Sequence, residues 1–246
     1  MSFTLYPAID LRGGQCVRLF QGDYDAETVY GDPVEAARRW VTAGAEWLHV
    51  VDLDAAKTGE PVNLPVIKEI AVALDVPVQV GGGVRNMERL KALLELGVSR
   101  VVIGSAAIDD PDFVKQALAQ YGDRIALGLD ARDGRVATHG WLDVSEVLAE
   151  NLAKEMVRYG AETFIFTDIS RDGTLTGPNI PAVRSLARAC GKEVIASGGV
   201  RNIHNLVELA KHREEGVSGA IVGKALYTGD VDLAEALRTL KEGSAS

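Results

Sequence analysis

The sequence predicts an α/β protein: a (β/α)8 TIM barrel with an internal twofold (βα)4 repeat, one domain over residues 1–246 with half-barrels of about 1–120 and 121–246. Three observations predict it. Eight short apolar, β-branched runs alternate with longer amphipathic segments from end to end. Most of these runs are continuously hydrophobic, as parallel strands covered on both faces require. Sliding the chain by 116 residues places 44–90 on 160–206 without a gap, with 16 identities in 47 positions. Average composition would give about three.

In chain order the strands fall at 3–9, 47–52, 77–81, 100–104, 124–130, 162–168, 193–197 and 219–223. Helices fill the intervals. Asp32-Pro33, Asn63, Asn86, Asp110-Pro111, Asp143, Asn179, Asn202 and Asp230 stand where helix N-caps belong. Gly44, Gly97, Gly122, Gly160 and Gly191 follow the last apolar helix position, where a left-handed residue closes a helix. An open doubly wound sheet is the competing architecture. Eight units in 246 residues with no switch-point insertion favour closure.

The chain carries 47% hydrophobic and 25% charged residues, enough apolar matter for a sizeable core. Its two cysteines, Cys16 and Cys190, do not make a disulfide framework. With neither a basic-then-apolar leader nor an apolar run near the roughly 18 residues of a membrane span, a cytoplasmic protein without a membrane partner is expected. The net charge of −9 argues against nucleic acid. It also opposes long-range capture of an anion, so anion binding must rest on backbone N–H groups, helix termini and a few cations.

In such barrels the active site lies at the C-terminal ends of the strands. The repeat puts four glycine loops there. Gly81-Gly82-Gly83 and Gly104-Ser105 follow the third and fourth strands, and Ser197-Gly198-Gly199 and Gly223-Lys224 follow the seventh and eighth. Each runs toward a helix N-terminus suited to phosphate, although glycines also serve plain tight turns. Symmetry sets the two sites on opposite sides of the mouth, so a small molecule with a phosphate at each end is the expected partner. Asp10 and Asp130, 120 residues apart, end the first strand of each half and flank the middle of that ligand. Paired carboxylates there can divide general base and general acid roles, or simply cap loops.

Thr167 ends the sixth strand, and Asp172 opens Asp172-Gly173-Thr174 in a long loop reaching Gly177, a candidate lid with a candidate proton donor. Arg18 and Gln21-Gly22-Asp23 in the first loop, with Trp141 in the fifth, suit a planar heterocycle. Lys224 fits phosphate contact better than a Schiff base. His49, His139, His204 and His212 show no ligand spacing, so no metal site is expected. The closed barrel permits a monomer.

Four motifs carry a resemblance: Pro7-Ala8-Ile9-Asp10-Leu11-Arg12-Gly13-Gly14, Val80-Gly81-Gly82-Gly83-Val84-Arg85, Thr167-Asp168-Ile169-Ser170-Arg171-Asp172-Gly173-Thr174 and Ala196-Ser197-Gly198-Gly199-Val200. Together, and over about residues 3–240, they resemble the phosphoribosylformimino-aminoimidazole carboxamide ribotide isomerases of histidine biosynthesis. The resemblance implies a duplicated barrel, a substrate with a phosphate on each of two sugars, and no metal or organic cofactor. It implies an Amadori rearrangement of an aminoaldose to an aminoketose, with Asp10 as proton acceptor, Asp130 as donor, Thr167 in support and Asp172 a rival acid.

Relatives are separated by single positions. The sister cyclases typically carry Cys-Leu-Asp in the first strand and a lysine in the loop after it, where this chain has Ala8-Ile9-Asp10 and Arg18. Bifunctional isomerases that also take phosphoribosylanthranilate tend to have Ser-Gly-Gly after the third strand, against Gly81-Gly82-Gly83 here. A reading from another class is a non-catalytic bisphosphate-binding barrel, against which the retained Asp10 and Asp130 speak.

Overall fold

The computed structural model describes residues 2–138, 141 and 143–243; Met1, His139, Gly140, Leu142 and residues 244–246 lie outside the described residues. The chain opens with β1 (Thr4–Arg12), β2 (Gln15–Phe20), β3 (Asp23–Gly31), α1 (Pro33–Thr42), β4 (Leu48–Asp52), α2 (Leu53–Thr58) and α3 (Leu64–Ala73). It continues with β5 (Val78–Gly81), α4 (Met87–Glu95), β6 (Arg100–Ile103), α5 (Ala106–Asp109), α6 (Pro111–Tyr121), β7 (Ile125–Arg132), β8 (Arg135–Thr138) and β9 (Asp143–Leu148). The last third holds α7 (Ala149–Val157), β10 (Thr163–Asp168), α8 (Ile180–Cys190), β11 (Glu193–Ser197), α9 (Ile203–Ala210), β12 (Val217–Val222), α10 (Lys224–Tyr227) and α11 (Leu233–Gly243).

Strands β1, β4, β5, β6, β7, β10, β11 and β12 pair in parallel, each with the next, and β12 returns to β1. This is the closed (β/α)8 barrel that the alternation predicts. Tyr6, Ala8, Ala126, Ile165, Ile195 and Ile221 fill its interior, and a larger apolar shell lies between strands and helices. The strands are mostly apolar because both faces are covered, and His49, Gln79 and Arg100 are buried polar exceptions among them.

Helix starts follow local chemistry. Asp32 Oδ1 accepts from the Val34 and Glu35 amides at 2.8 and 3.0 Å, with Pro33 inside the first turn. Asn86, Asp110, Asn179 and Asn202 cap in the same way. Three expected caps differ. Asp143 opens the antiparallel strand β9, and α7 begins six residues later. Asp230 bonds with Thr228, while Asp232 accepts from the Glu235 amide at 2.8 Å. Asn63 sits at its helix start without capping it; its side chain reaches back to the barrel instead. Of the expected closing glycines, Gly44, Gly97, Gly160 and Gly191 have positive φ, but Gly122 has φ −51° and opens a 3-10 turn.

Two antiparallel hairpins stand where the sequence leads one to expect loops. β2–β3 rises from the end of β1, and β8–β9 from the end of β7. They extend the first strand of each half past the barrel and form a rim on its C-terminal face.

Candidate active site

Asp10, Asp130 and Asp172 line one cavity at the C-terminal mouth. Asp10 belongs to both frameworks of β1, paired with Val51 of β4 and with Val17 of the hairpin. Arg18 lies on strand β2 and not in an irregular loop, and this fixed position sets its Nη1 2.9 Å from Asp10 Oδ2. Room for that guanidinium comes from Gly223, where a Cβ would stand 2.3 Å from Arg18 Nη2. Asp130 accepts from the Trp141 indole N–H at 2.8 Å and from the Thr167 hydroxyl. Trp141 itself rests on Gly22, where a Cβ would meet its ring at 2.6 Å, so the two rims touch across the mouth.

Burial raises all three carboxyl groups above the ordinary range. At Asp10 the Arg18 charge opposes burial, and at Asp130 the hydrogen bonds from Trp141 and Thr167 do so. Asp172 is pushed up to about 6 by burial, with Arg18 opposing and the charges of Asp10 and Asp130 reinforcing. Three carboxyls in one water-poor mouth, one of them near neutrality, can accept and donate protons at the same ligand.

The four glycine loops also line the cavity: Gly81 to Gly83, Gly104 with Ser105, Ser197 to Gly199, and Gly223 with Lys224. Gly82 and Gly198 share positive φ, +103° and +88°, and each packs against the carbonyl of the strand-end aspartate beside it, Asp52 or Asp168. A Cβ would approach those oxygens to 2.2 and 3.2 Å. These glycines are therefore required by packing as well as available to a ligand. Gly104 is different: a Cβ there meets nothing within 4 Å. Lys224 Nζ donates to the Gly173 carbonyl at 3.1 Å and sits over the Phe20 ring. Thr174 and Gly177 do not line the cavity. Thr174 bonds within its own turn, and the Gly177 amide donates to the Gly199 carbonyl at 2.7 Å.

Sequence reasoning passed over His49. Its ring lines the mouth, although a lone histidine in an apolar strand reads as core. Among the described residues no group of three or more His, Cys, Asp or Glu could hold a metal ion, and no helix is long and apolar enough to cross a membrane.

A family model described as "Histidine biosynthesis protein" matches residues 4–232. Several proteins named 1-(5-phosphoribosyl)-5-((5-phosphoribosylamino)methylideneamino) imidazole-4-carboxamide isomerase are similar along nearly their whole length. That of Brevibacillus brevis is 60% identical over 242 residues, covering 98% of this chain and 97% of the relative. The protein of Geobacillus thermodenitrificans is also 60% identical over 242 residues, 98% of this chain and 99% of its own. The relative from Acaryochloris marina is 56% identical over 238 residues, 96% and 93% of the two chains.

Proposed function

The chain belongs to the histidine biosynthesis protein family, and from that premise we propose that it is an intramolecular aldose–ketose isomerase acting on the bis-phosphoribosyl imidazole carboxamide that its relatives' name describes. The observation that carries this reading is the set of Asp10, Asp130 and Asp172 in one mouth, flanked by the paired glycine loops after β5–β6 and β11–β12. Two phosphate-bearing sugars fit the two loop pairs, and the reacting ribose then lies over the carboxyls.

In this reading an acid protonates the ribose ring oxygen and the ring opens to an imine. A base then removes the C2 proton, and the enolamine tautomerises to the ketone. Asp10 is the base: its pairing with Arg18 supports the anion. Asp130 and Asp172 compete for the acid role, and their surroundings favour Asp172. Burial raises both carboxyl groups; at Asp130 two hydrogen bonds favour the charged form against it, whereas Asp172 is pushed up to about 6 and so carries a proton in a useful fraction of molecules. We assign the acid role to Asp172 and a ribose-orienting role to Asp130, with Thr167 fixing it. Arg18, Gly22 and Trp141 frame the heterocycle. Ser105, Lys224 and the backbone of Gly82, Gly83, Gly104, Gly198, Gly199 and Gly223 meet the phosphates, with Thr174 and Gly177 shaping the loop beside the second site.

The single-substrate reading is favoured over a bifunctional one by Gly81, where a Cβ would stand 3.1 Å from Val102 Cβ and a serine is crowded. The test is turnover of the purified, chelator-treated protein on both aminoaldoses. Conversion of the imidazole carboxamide substrate alone is expected. Comparable conversion of phosphoribosylanthranilate would make it bifunctional, and tight binding of both with no conversion would make it a binding protein.

A further inference from the structure

Ala8, His49, Gln79 and Arg100 lie in register across the neighbouring strands β1, β4, β5 and β6. In-register residues of parallel strands face the same side. The polar three are turned into the barrel, where His49 lines the mouth and Arg100 lies against Tyr6 and Trp47 of the interior cluster. All three are buried, Gln79 completely. Polar groups at that depth require partners, and the partners found fix their protons.

Arg100 donates to Gln79 Oε1 through Nε at 3.0 Å and through Nη2 at 2.7 Å, and Nη2 also reaches the Tyr6 hydroxyl at 3.2 Å. A guanidinium has only donors, so the amide oxygen of Gln79 must be the atom turned to it. That leaves Gln79 Nε2 facing His49 Nδ1 at 2.9 Å. The amide nitrogen likewise only donates, so Nδ1 must accept. The ring proton then resides on Nε2. A cationic imidazole would set two N–H groups against each other.

We infer that Arg100 and Gln79 are positioning residues that lock His49 as the neutral Nε2–H tautomer, so that it presents an uncharged hydrogen-bond donor to a substrate oxygen in the mouth that Asp10 also lines; this rests on the isomerase reading of that mouth. Neutrality matters to the neighbouring base. The charges acting on the ring are Arg18 from β2 and Arg100 from β6, Gln79 from β5 is its hydrogen-bond partner, and Asp10 of the adjoining strand lines the same mouth. An imidazolium would join Arg18 in pulling down the proton affinity of Asp10, while a neutral ring supplies the hydrogen bond without that cost. Burial, with Arg18 and Arg100, holds the imidazole down to about 3. Its tautomer is therefore constant over the working range. A histidine that merely fills the barrel has no need of a particular proton position.

The test uses full-length protein labelled with 15N-histidine and two-bond proton–nitrogen correlation spectra, the His49 signals identified by their absence in His49→Phe. The expected pattern is a bare Nδ1 and a protonated Nε2, unchanged from about pH 5 to 9. A protonated Nδ1, or titration near the ordinary histidine value, would overturn the inference. In Gln79→Glu the carboxylate accepts from both Arg100 and His49, so the proton moves to Nδ1 or the ring becomes charged. Turnover on the aminoaldose then falls on the order of tenfold to a hundredfold, with KM nearly constant because the phosphate contacts remain. An altered tautomer with unchanged turnover would also overturn it. If Gln79→Glu does not fold, the unmodified protein's spectrum still decides. Absence of turnover in the unmodified protein strikes the isomerase reading instead, leaving the tautomer to the spectrum.

Discussion

Arg18 Nη1 stands 2.9 Å from Asp10 Oδ2 with both side chains largely shielded from water, on two strands that pair in antiparallel register at the barrel rim. A carboxylate held this way keeps its orientation without a bound ligand. Its proton affinity is a balance between burial, which raises it, and the guanidinium, which lowers it.

Asp10→Asn is expected to lower kcat by about three orders of magnitude or more while the fold persists, since the amide keeps the shape and loses the base. Steady-state kinetics beside far-ultraviolet circular dichroism check it. Near-normal turnover would remove Asp10 from the mechanism.

Asp172 gives a pH signature in both activity and stability. As the acid it must be protonated, so kcat should fall as pH rises through about 6. Its folded-state value lies above that of the unfolded chain, so it stabilises the fold fully below the unfolded value and loses that contribution as pH rises from about 4 through about 6. Asp172→Asn removes this dependence and should raise stability at neutral pH by about 1 kcal/mol, or about 2–4 °C in Tm. An unchanged kcat–pH profile in Asp172→Asn would return the acid role to Asp130.

Beneath the loops, Arg89 Nη2 bonds the fully buried Asp52 Oδ2 at 2.9 Å. Arg89→Met leaves that carboxylate to the Ala55 amide and the Asn63 side chain, with no cation beside it among the described residues. Urea denaturation should register a loss of about 3 kcal/mol, whereas turnover per folded molecule stays near that of the unmodified protein.

The glycine loops separate by substitution. Gly82→Ala drives a Cβ to 2.2 Å from the Asp52 carbonyl at φ +103°, and should cost about 3 kcal/mol or more in stability. Gly104→Ala meets no protein atom, so stability should hold within about 0.5 kcal/mol. A phosphate oxygen close to that backbone would be pushed away, raising KM by about tenfold. If KM for Gly104→Ala is unchanged, no ligand approaches that strand end.

The repeat was readable because it records contacts as well as elements. Asp52 and Asp168 were matched by the offset of 116, as were Asn63 and Asn179, and the structure joins them as Asn63 Nδ2 to Asp52 at 2.7 Å and Asn179 Nδ2 to Asp168 at 2.7 Å. The same interaction ties strand end to following helix in both halves. The hairpins escaped because Asp23–Gly31 and Asp143–Leu148 are largely exposed and charged, with no buried face to impose an apolar alternation. Arg18 lodged against Gly223 joins segments whose nearness only closure of the barrel creates, and Trp141 reaches Asp130 only because the unforeseen hairpin folds back over β7. His49 was passed over for another reason: its meaning lies in Gln79 and Arg100 on the next two strands, and no spacing in one segment reports that.

A closed barrel has no free strand edge, yet the two hairpins bring edges back at the mouth. Among the described residues β3 pairs only with β2 and β9 only with β8. Each outer strand carries acids, Asp23, Asp25 and Glu27 on one and Asp143 and Glu146 on the other. Such an edge repels its own copy, because docking a second chain there would bring like charges within pairing distance. The rim that shelters the carboxyls thus places acids along the two strand edges that the barrel does not close, where like charges disfavour strand addition.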